Sequence, residues 1–210
     1  MKKMIIVTGG SGGHVIPSLA IYDHLKNDFK ISLITDIRGS RFITKNKYNF
    51  ELIDVPNIFS NFYLLPLNII KFFISILKSY KYLKQEKIDF IISTGGYMSI
   101  PICLASRLLN IKIFLFEPNS VLGRANKFML KISKKIICYY PSLKLFPKKF
   151  DEKIYPINPI LRNKIYSYKK NNKKEFNYIK KILLVGGSQG AEFFDKILSE
   201  VIIEVSKKLK

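Results

Sequence analysis

The turn GGSGGH, from Gly9 to His14, directly follows an apolar strand pattern and has the composition of a phosphate-binding loop. Its glycines permit backbone angles that other residues avoid, so a ligand can approach the main chain closely. The N–H groups and the dipole of the following helix then favour a phosphate or diphosphate. A tight turn without a ligand is the alternative, because Val15 stands where the dinucleotide fingerprint has its third glycine.

His14 begins the predicted helix after this turn, where an imidazole could contact a diphosphate or act as a general base. A histidine that only opens a helix is the alternative. His24, on the same predicted helix, has no supporting residues around it in the sequence and is assigned no role.

Asp36 follows the second strand pattern, at about the position where nicotinamide-dependent enzymes hold the ribose with an acidic residue. This spacing keeps an NAD-dependent oxidoreductase open as an alternative function. The chain contains no Asp-x-Asp motif that would chelate a metal-bound diphosphate, so we expect no metal site of that kind. The charge of a leaving group would then be met by backbone dipoles and basic side chains.

Polar residues also follow the fourth and fifth strand patterns. Tyr97 lies in STGGYMSIP, and Glu117, Asn119 and Asn126 lie in FEPNSVLGRAN. In an open parallel sheet the carboxyl ends of the strands line the ligand crevice, so these turns and the GGSGGH turn should meet at one edge. Ordinary turn chemistry explains each of them alone, but together they predict a binding site.

The elements that position these residues are short apolar runs, each followed by a helical pattern. Continuous apolar runs, rather than alternating ones, are expected when helices cover both faces of a parallel sheet. The sequence therefore predicts a doubly wound, Rossmann-like α/β fold. The predicted strands are 4–8, 31–35, 50–55, 90–93, 111–116, 135–139 and 182–185.

The stretch KKILLVGGSQGAEFFDKIL repeats the plan of KKMIIVTGGSGGHVIPSLA near the start of the chain. An internal repeat of this kind predicts two similar α/β domains. We predict a first domain over residues 1–162, a lysine-rich linker over 163–180, and the first strand and helix of a second domain over 181–210. One strand and one helix cannot close a parallel sheet, so we expect the chain to be a partial product.

The chain carries 36 Lys and Arg against 15 Asp and Glu, a net charge of +21. This balance favours an anionic partner such as lipid headgroups, nucleotides or nucleic acid. An AT-rich coding sequence, which enriches Lys, Ile, Asn, Phe and Tyr together, is the alternative explanation.

Cys103 and Cys138 fall in an apolar helix pattern and an apolar strand pattern, with no partner at metal-ligand spacing. Buried free thiols are expected, which fits a reducing cytoplasm. The opening MKKMIIVTGG is too short and too quickly polar for a signal peptide.

The segment from Phe62 to Leu83 is apolar almost all round but is interrupted by residues that include Pro66, Asn68, Lys71 and Lys78. It does not meet the requirement of roughly 20 consecutive apolar residues for a span of the bilayer. One interpretation is a helix packed deep against the sheet. The other is a helix whose apolar end, Phe62 to Leu65, dips into a membrane surface beside Lys71.

Four motifs in this order and spacing resemble the MurG family of bacterial glycosyltransferases, in glycosyltransferase family 28. They are GGSGGHVIPSLAI, STGGYMSIP, FEPNSVLGRAN and LLVGGSQGA, and the resemblance covers nearly the whole chain. It implies the GT-B arrangement of two Rossmann-like domains, with the acceptor bound mainly by the first and a UDP-sugar mainly by the second. No metal and no cofactor are expected.

The resemblance also implies roles for individual residues. Ser11, Gly12, Gly13 and His14 would form the loop at the diphosphate, with His14 as the first candidate for the base and Glu117 as the second. The other candidate substrate contacts are Tyr97, Asn119, Asn126, Ser188 and Arg162, the last being displaced by one position from the family's arginine. The segment that the family lays on the membrane corresponds to Phe62, Leu65, Lys71 and Phe72.

The function that the resemblance implies is inverting transfer of N-acetylglucosamine from UDP-N-acetylglucosamine to an undecaprenyl-diphospho-muramoyl-pentapeptide lipid. The enzyme would lie peripherally on the cytoplasmic face of the inner membrane, against an anionic surface and without a nucleic-acid partner. Little activity is expected from the 210 residues alone, since half of the donor pocket is missing. The acceptor-binding subunit of a split glycosyltransferase and the oxidoreductase remain alternatives.

Overall fold

The computed structural model describes residues 1–56, 62–162, 165 and 198–208, without the side chain of Phe62. The chain divides into two compact units, Met1–Lys169 and Lys170–Lys210. In the second unit, the described part of the predicted last helix is helical over Ser199–Lys208. The predicted strand 182–185, Ser188 and most of the predicted linker lie outside the described residues.

Strands and helices alternate along the first unit. The strands are β1 Lys3–Val7, β2 Lys30–Thr35, β3 Phe50–Leu52, β4 Phe90–Ser93, β5 Lys112–Glu117, β6 Lys135–Cys138 and β7 Ile154–Pro156. The α-helices are α1 Gly12–Leu25, α2 Ile37–Ser40, α3 Leu65–Glu86, α4 Ser99–Leu108 and α5 Arg124–Met129, with 3-10 turns at Phe62–Leu64 and Lys148–Lys153. Among the described residues these strands form one parallel sheet of order β3-β2-β1-β4-β5-β6-β7, which confirms the Rossmann-like α/β fold.

The central strand β1 shows why its sequence is apolar without alternation. Ile5 and Val7 belong to one buried cluster, together with residues of α3, α4 and α5. Met4 and Ile6 belong to a second cluster, together with residues of α1. Successive side chains of a strand point to opposite faces, so a sheet with helices on both faces needs apolar residues at every position.

The strand predictions fail mainly at the edges of the sheet. Five of the predicted strands in the described residues have both ends within one residue of the observed ones, but β3 ends at Leu52 instead of residue 55. Strand β7, Ile154–Pro156, was not predicted. It has three residues and lies at the end of the sheet, where proline is tolerated because an edge strand needs no N–H bond on its outer side.

Helix α3 buries small polar residues as well as Leu83, and it leaves many of its apolar residues exposed. Its buried residues are Asn68, Ser75, Ser79 and Leu83. The Ser75 hydroxyl donates to the Phe72 carbonyl at 2.7 Å and the Ser79 hydroxyl to the Ser75 carbonyl at 2.6 Å, so both hydroxyls are satisfied within the helix. The interpretation of this segment as a helix packed deep against the sheet holds for one face only, where Leu83 lies in the core and Phe72 and Ile76 pack against it, while the opposite face is exposed.

The apolar stripe of α3 and the turn before it is broad. We use this name for Tyr63, Leu64, Leu67, Ile69, Ile70, Phe73, Ile74 and Leu77, each of which is at least 39% exposed. Leu65 and Phe72, which the family resemblance assigned to a membrane contact, are partly buried, and Phe72 packs against the core. Among the described residues, no helix has the length and apolar character needed to cross a membrane.

Both cysteines are buried and free, as predicted. Burial raises the pKa of the Cys103 thiol to about 12 and also raises the pKa of the Cys138 thiol. Because the thiolate is the reactive form, neither side chain is set up as a nucleophile at neutral pH.

Candidate functional site

The first glycine loop leaves the carboxyl end of β1 and enters α1. Gly10 has φ +80°, a left-handed angle that favours glycine. A Cβ on Gly9 would lie 2.7 Å from both Asp36 Oδ1 and Met98 Cγ, so the close approach of neighbouring residues also requires glycine there. Ser11 is the N-cap of α1 in an extended conformation, but its side chain makes no capping hydrogen bond. Its hydroxyl therefore lies at the start of the helix without binding the helix N–H groups.

Asp36 fixes this loop to the start of α2. Its buried Oδ1 accepts hydrogen bonds from Gly10 N at 2.9 Å and Gly39 N at 2.8 Å. Its Oδ2 accepts a bond from Arg38 Nε at 3.2 Å. Because both carboxylate oxygens are bound within the protein, Asp36 acts in the architecture of the loop and is not placed to hold a cofactor ribose.

The His14 ring lies close to the second glycine loop, Gly95 and Gly96, which follows β4. Gly95 and Gly96 have φ +86° and +83°, and a Cβ on Gly95 would lie 3.4 Å from His14 Cε1. The His14 Nδ1 is 2.8 Å from the carbonyl oxygen of Thr94. A carbonyl can only accept, so Nδ1 carries the hydrogen and, in the neutral ring, Nε2 keeps its lone pair. The fold thus holds an imidazole with a defined tautomer between two glycine loops.

Glu117 organises the turn after β5. Its Oε1 accepts bonds from Asn119 N at 3.3 Å and Asn119 Nδ2 at 3.0 Å. Its Oε2 accepts bonds from Gly123 N and Asn126 Nδ2, both at 2.9 Å. The side chain is buried, with 3% of the residue exposed. These bonds occupy both oxygens, so the carboxylate is arranged to hold the turn together.

Asn126 brings an unsatisfied polar atom to the site. Its Nδ2 donates to the Phe116 carbonyl at 3.2 Å as well as to Glu117. Its Oδ1 is buried and has no hydrogen-bond partner among the described residues. A buried acceptor of this kind is costly unless a ligand or water donates to it.

Two cavities meet at His14, Gly96 and Tyr97. The smaller cavity, of about 260 Å³, is lined by Gly9, Gly10, Ser11, His14, Arg38, Gly96, Tyr97 and Met98. The larger cavity, of about 750 Å³, is lined by His14, Phe72, Gly95, Gly96, Tyr97, Ile100, Glu117, Gly123, Arg124, Ala125, Asn126 and Phe128. The smaller one is formed largely by the glycine loops and the larger one largely by side chains of the helices.

Arg38 is a site residue that the sequence reasoning missed. It lines the smaller cavity, and its Nη2 lies 3.8 Å from the position that a Cβ on Gly10 would take. A guanidinium here adds positive charge beside the main-chain N–H groups of the loop. A signal was present, because Arg38 follows β2 at the same edge of the sheet as the predicted phosphate turn.

The structure does not bring every predicted residue to these cavities. Arg162 is exposed and lines another cavity, of about 400 Å³, with Asp23 and Tyr48 beside α1. Asn119 is exposed and bound to Glu117. A Cβ on Gly12 would lie 3.2 Å from Phe42 Cε1, so that glycine accommodates an aromatic ring.

The parallel sheet and the glycine loops at its carboxyl edge define a Rossmann-like domain of the class that binds phosphorylated ligands. Residues 4–138 match the glycosyltransferase family 28 N-terminal domain. The chain therefore belongs to glycosyltransferase family 28, and the oxidoreductase alternative is wrong.

The chain is similar over its whole length to two bacterial enzymes with the same name. Each is a UDP-N-acetylglucosamine--N-acetylmuramyl-(pentapeptide) pyrophosphoryl-undecaprenol N-acetylglucosamine transferase. The enzyme of Pelagibacter ubique (strain HTCC1062) is 47% identical over 209 residues, and that of Rickettsia felis (strain ATCC VR-1525 / URRWXCal2) is 33% identical over 221 residues. The chain spans 58% and 60% of the lengths of these relatives.

Solved structures agree with this fold. The crystal structure of Acinetobacter baumannii MurG matches with a TM-score of 0.69 and 26% identity, over 94% of this chain and 56% of that chain. The structure of S. aureus MnaA with UDP matches with a TM-score of 0.55 over 74% of this chain and 43% of that chain. At 15% identity, the second likeness concerns the fold alone.

Proposed function

We propose that this chain forms the acceptor-binding part of a transferase that moves N-acetylglucosamine from UDP-N-acetylglucosamine to a pyrophosphoryl-undecaprenol-linked N-acetylmuramyl pentapeptide. The observation that carries the proposal is the position of His14, whose ring lies between two glycine loops and borders both cavities. The names of the 47% and 33% identical relatives supply the donor and the acceptor.

The smaller cavity binds the pyrophosphoryl group of the acceptor. The positive end of the α1 dipole and the Ser11 hydroxyl, which lines this cavity and makes no capping bond, favour the anion there. Arg38 provides the opposing charge, since its side chain is 64% exposed and reaches over Gly10.

His14 acts as the general base. Its Nε2 takes the proton from the attacking sugar hydroxyl, the hydroxyl oxygen forms the new bond to the anomeric carbon, and UDP leaves with the electrons of the broken bond. Attack from the side opposite UDP inverts the anomeric centre. The hydrogen bond from Nδ1 to Thr94 holds the ring and stabilises the imidazolium that forms.

Glu117 is a positioning residue in this mechanism. It holds Asn119 and Asn126 in place by direct hydrogen bonds, and it leaves Asn126 Oδ1 as an open acceptor on the wall of the larger cavity. Tyr97, at the border of both cavities, contacts the acceptor substrate.

The apolar stripe of α3 rests on an anionic membrane surface. Its partly exposed aliphatic and aromatic side chains would bury in the headgroup region, while Lys71 and Lys78, both exposed on the same helix, would pair with anionic lipids. This orientation places the larger cavity, whose walls include Phe72 of the same helix, next to the lipid.

A chimera tests the proposed activity directly. This chain is joined to the part of the Pelagibacter ubique enzyme that follows its 209 matched residues. The chimera should transfer radiolabelled N-acetylglucosamine to the lipid acceptor. A folded chimera that binds both substrates without transfer would contradict the proposal.

Arg38→Ala should weaken binding of inorganic pyrophosphate by the full 210-residue chain about tenfold, because one charge-assisted hydrogen bond is lost. Isothermal titration calorimetry measures the effect. Arg107→Ala, which removes an exposed arginine near the end of α4, is the matched control and should leave the affinity unchanged. Equal affinities of the Arg38→Ala variant and the unsubstituted chain would remove Arg38 from the anion site.

Phe73→Ser should lower binding to anionic vesicles about tenfold, because it removes a large apolar side chain from the stripe. Tyr155→Ser, at an exposed aromatic residue of β7, is the control. Binding of the unsubstituted chain should also fall as salt is added, since the lysines act through screened charge. Vesicle co-sedimentation that is equal for both variants would show that the stripe does not face the membrane.

A further inference from the structure

The larger cavity has apolar walls for which the transfer step has no use. Phe72 of α3, Ile100 of α4, and Ala125 and Phe128 of α5 contribute side chains to it. Phe128 is 61% exposed, so this wall reaches the surface of the domain. The apolar part of the cavity therefore lies between three helices, while Glu117 and Asn126 contribute to its polar lining.

An aromatic pair joins this cavity to the apolar stripe of α3. Phe72 turns inward, with its ring centroid 6.1 Å from that of Tyr97. Phe73 turns outward and is 61% exposed, and its ring meets Phe72 edge to face at 6.5 Å. Apolar surface thus continues from the exposed stripe to the border of the smaller cavity.

The two cavities share His14, Gly96 and Tyr97, so a pyrophosphate bound at the glycine loops lies at the entrance of the larger cavity. In a polyprenyl diphosphate the first isoprene unit is bonded directly to the terminal phosphate oxygen. We infer that the larger cavity binds the first isoprene units of the acceptor's polyprenyl chain and draws them out of the bilayer. This inference rests on the proposed function, which places the pyrophosphate in the smaller cavity.

A sugar fits these walls poorly. Its hydroxyl groups would lose water against Phe72, Ile100 and Phe128, whose side chains offer no hydrogen bonds in return. A hydrocarbon chain gains from the same contacts in proportion to the apolar area it buries. These apolar side chains therefore favour the lipid end of the acceptor, whereas the polar residues of the lining include His14, Glu117, Arg124 and Asn126.

Geranyl diphosphate, with two isoprene units, and inorganic pyrophosphate separate the two parts of the ligand. Calorimetry on the full 210-residue chain should give at least about tenfold tighter binding of geranyl diphosphate. Ile100→Trp, which fills the cavity, should remove this advantage and leave the affinity for pyrophosphate unchanged. Leu108→Trp, on an exposed residue of the same helix, should keep the advantage. Ala125→Leu provides a second, smaller obstruction if Ile100→Trp does not fold.

A fluorescent reporter gives an independent measurement, because the chain contains no tryptophan. Phe128→Trp places a single indole at the cavity wall. Its emission should shift to shorter wavelength with geranyl diphosphate and stay unchanged with pyrophosphate.

The outcomes are distinct. If pyrophosphate binds and the geranyl group adds no affinity, the isoprene site is overturned and the proposed anion site remains. If geranyl diphosphate keeps its higher affinity in both Ile100→Trp and Ala125→Leu, the isoprene site is also overturned, since the geranyl group would then bind elsewhere. Absence of binding by both compounds would contradict the anion site and the isoprene site together.

Discussion

His14→Ala should lower the turnover number of the chimeric transferase by about 10²- to 10⁴-fold, the usual contribution of a general base. The Nδ1 bond to Thr94 fixes the ring so that Nε2 keeps the lone pair that takes the proton. The affinity of the variant for inorganic pyrophosphate should stay within about threefold of the unsubstituted value, because a base acts on the chemical step. Steady-state kinetics and calorimetry measure the two quantities.

His24→Ala is the matched control for this experiment. His24 lies on the same helix, and its Nε2 is 2.9 Å from the Leu161 carbonyl, away from the two cavities. Its replacement should leave turnover nearly unchanged. Loss of pyrophosphate affinity in His14→Ala, with turnover at saturation retained, would instead make His14 a diphosphate contact.

Glu117→Ala should lower the free energy of unfolding by about 3 kcal/mol, because N–H groups of the β5 turn lose their buried acceptor. Transfer by the chimera should fall with it, since Asn126 is no longer held. Chemical denaturation followed by circular dichroism measures the change in stability. Glu51→Ala, at an exposed residue of β3, should change stability by less than about 0.5 kcal/mol.

Glu117→Gln distinguishes a positioning residue from a base. The amide keeps the size of the side chain but replaces one accepting oxygen with an N–H donor, which faces other donors. A positioning role predicts reduced stability along with reduced transfer. Unchanged stability with transfer abolished would identify Glu117 as the base.

Local signals in the sequence determine most of the fold and part of the site. Apolar runs gave the strands, and glycines after β1 and β4 gave the loops that meet at His14. These features follow from residues close together in the chain. Neighbouring loops can be placed from such signals because carboxyl ends of parallel strands share one edge.

Other parts of the site depend on contacts between distant residues. The position of Asp36 after the second strand suggested a ribose ligand. In the folded loop, however, its Oδ1 accepts a hydrogen bond from Gly10 N at 2.9 Å. The family resemblance suggested Arg162 as a substrate contact, but the chain places it in a separate cavity with Asp23 and Tyr48. The path of the backbone decides which residues Asp36 and Arg162 contact. The spacing of residues along the sequence does not specify that path.

Helix α3 shows a different limit of prediction from sequence. Its periodicity predicts a helix, but apolar residues occur almost all round, so hydrophobicity alone does not reveal which face is buried. The buried face includes Ser75 and Ser79, whose hydroxyls are satisfied within the helix, and α3 packs against α4. Many of the larger apolar residues, such as Ile70, Phe73 and Leu77, are left exposed.

The outward face of α3 has a consequence for kinetics. A protein held on a bilayer by this stripe searches for its lipid substrate in two dimensions, so the effective concentration of substrate is set by membrane area. Inert lipid added at a constant total amount of acceptor would then slow the reaction by surface dilution. Bulk concentration of acceptor would be the wrong variable for describing saturation.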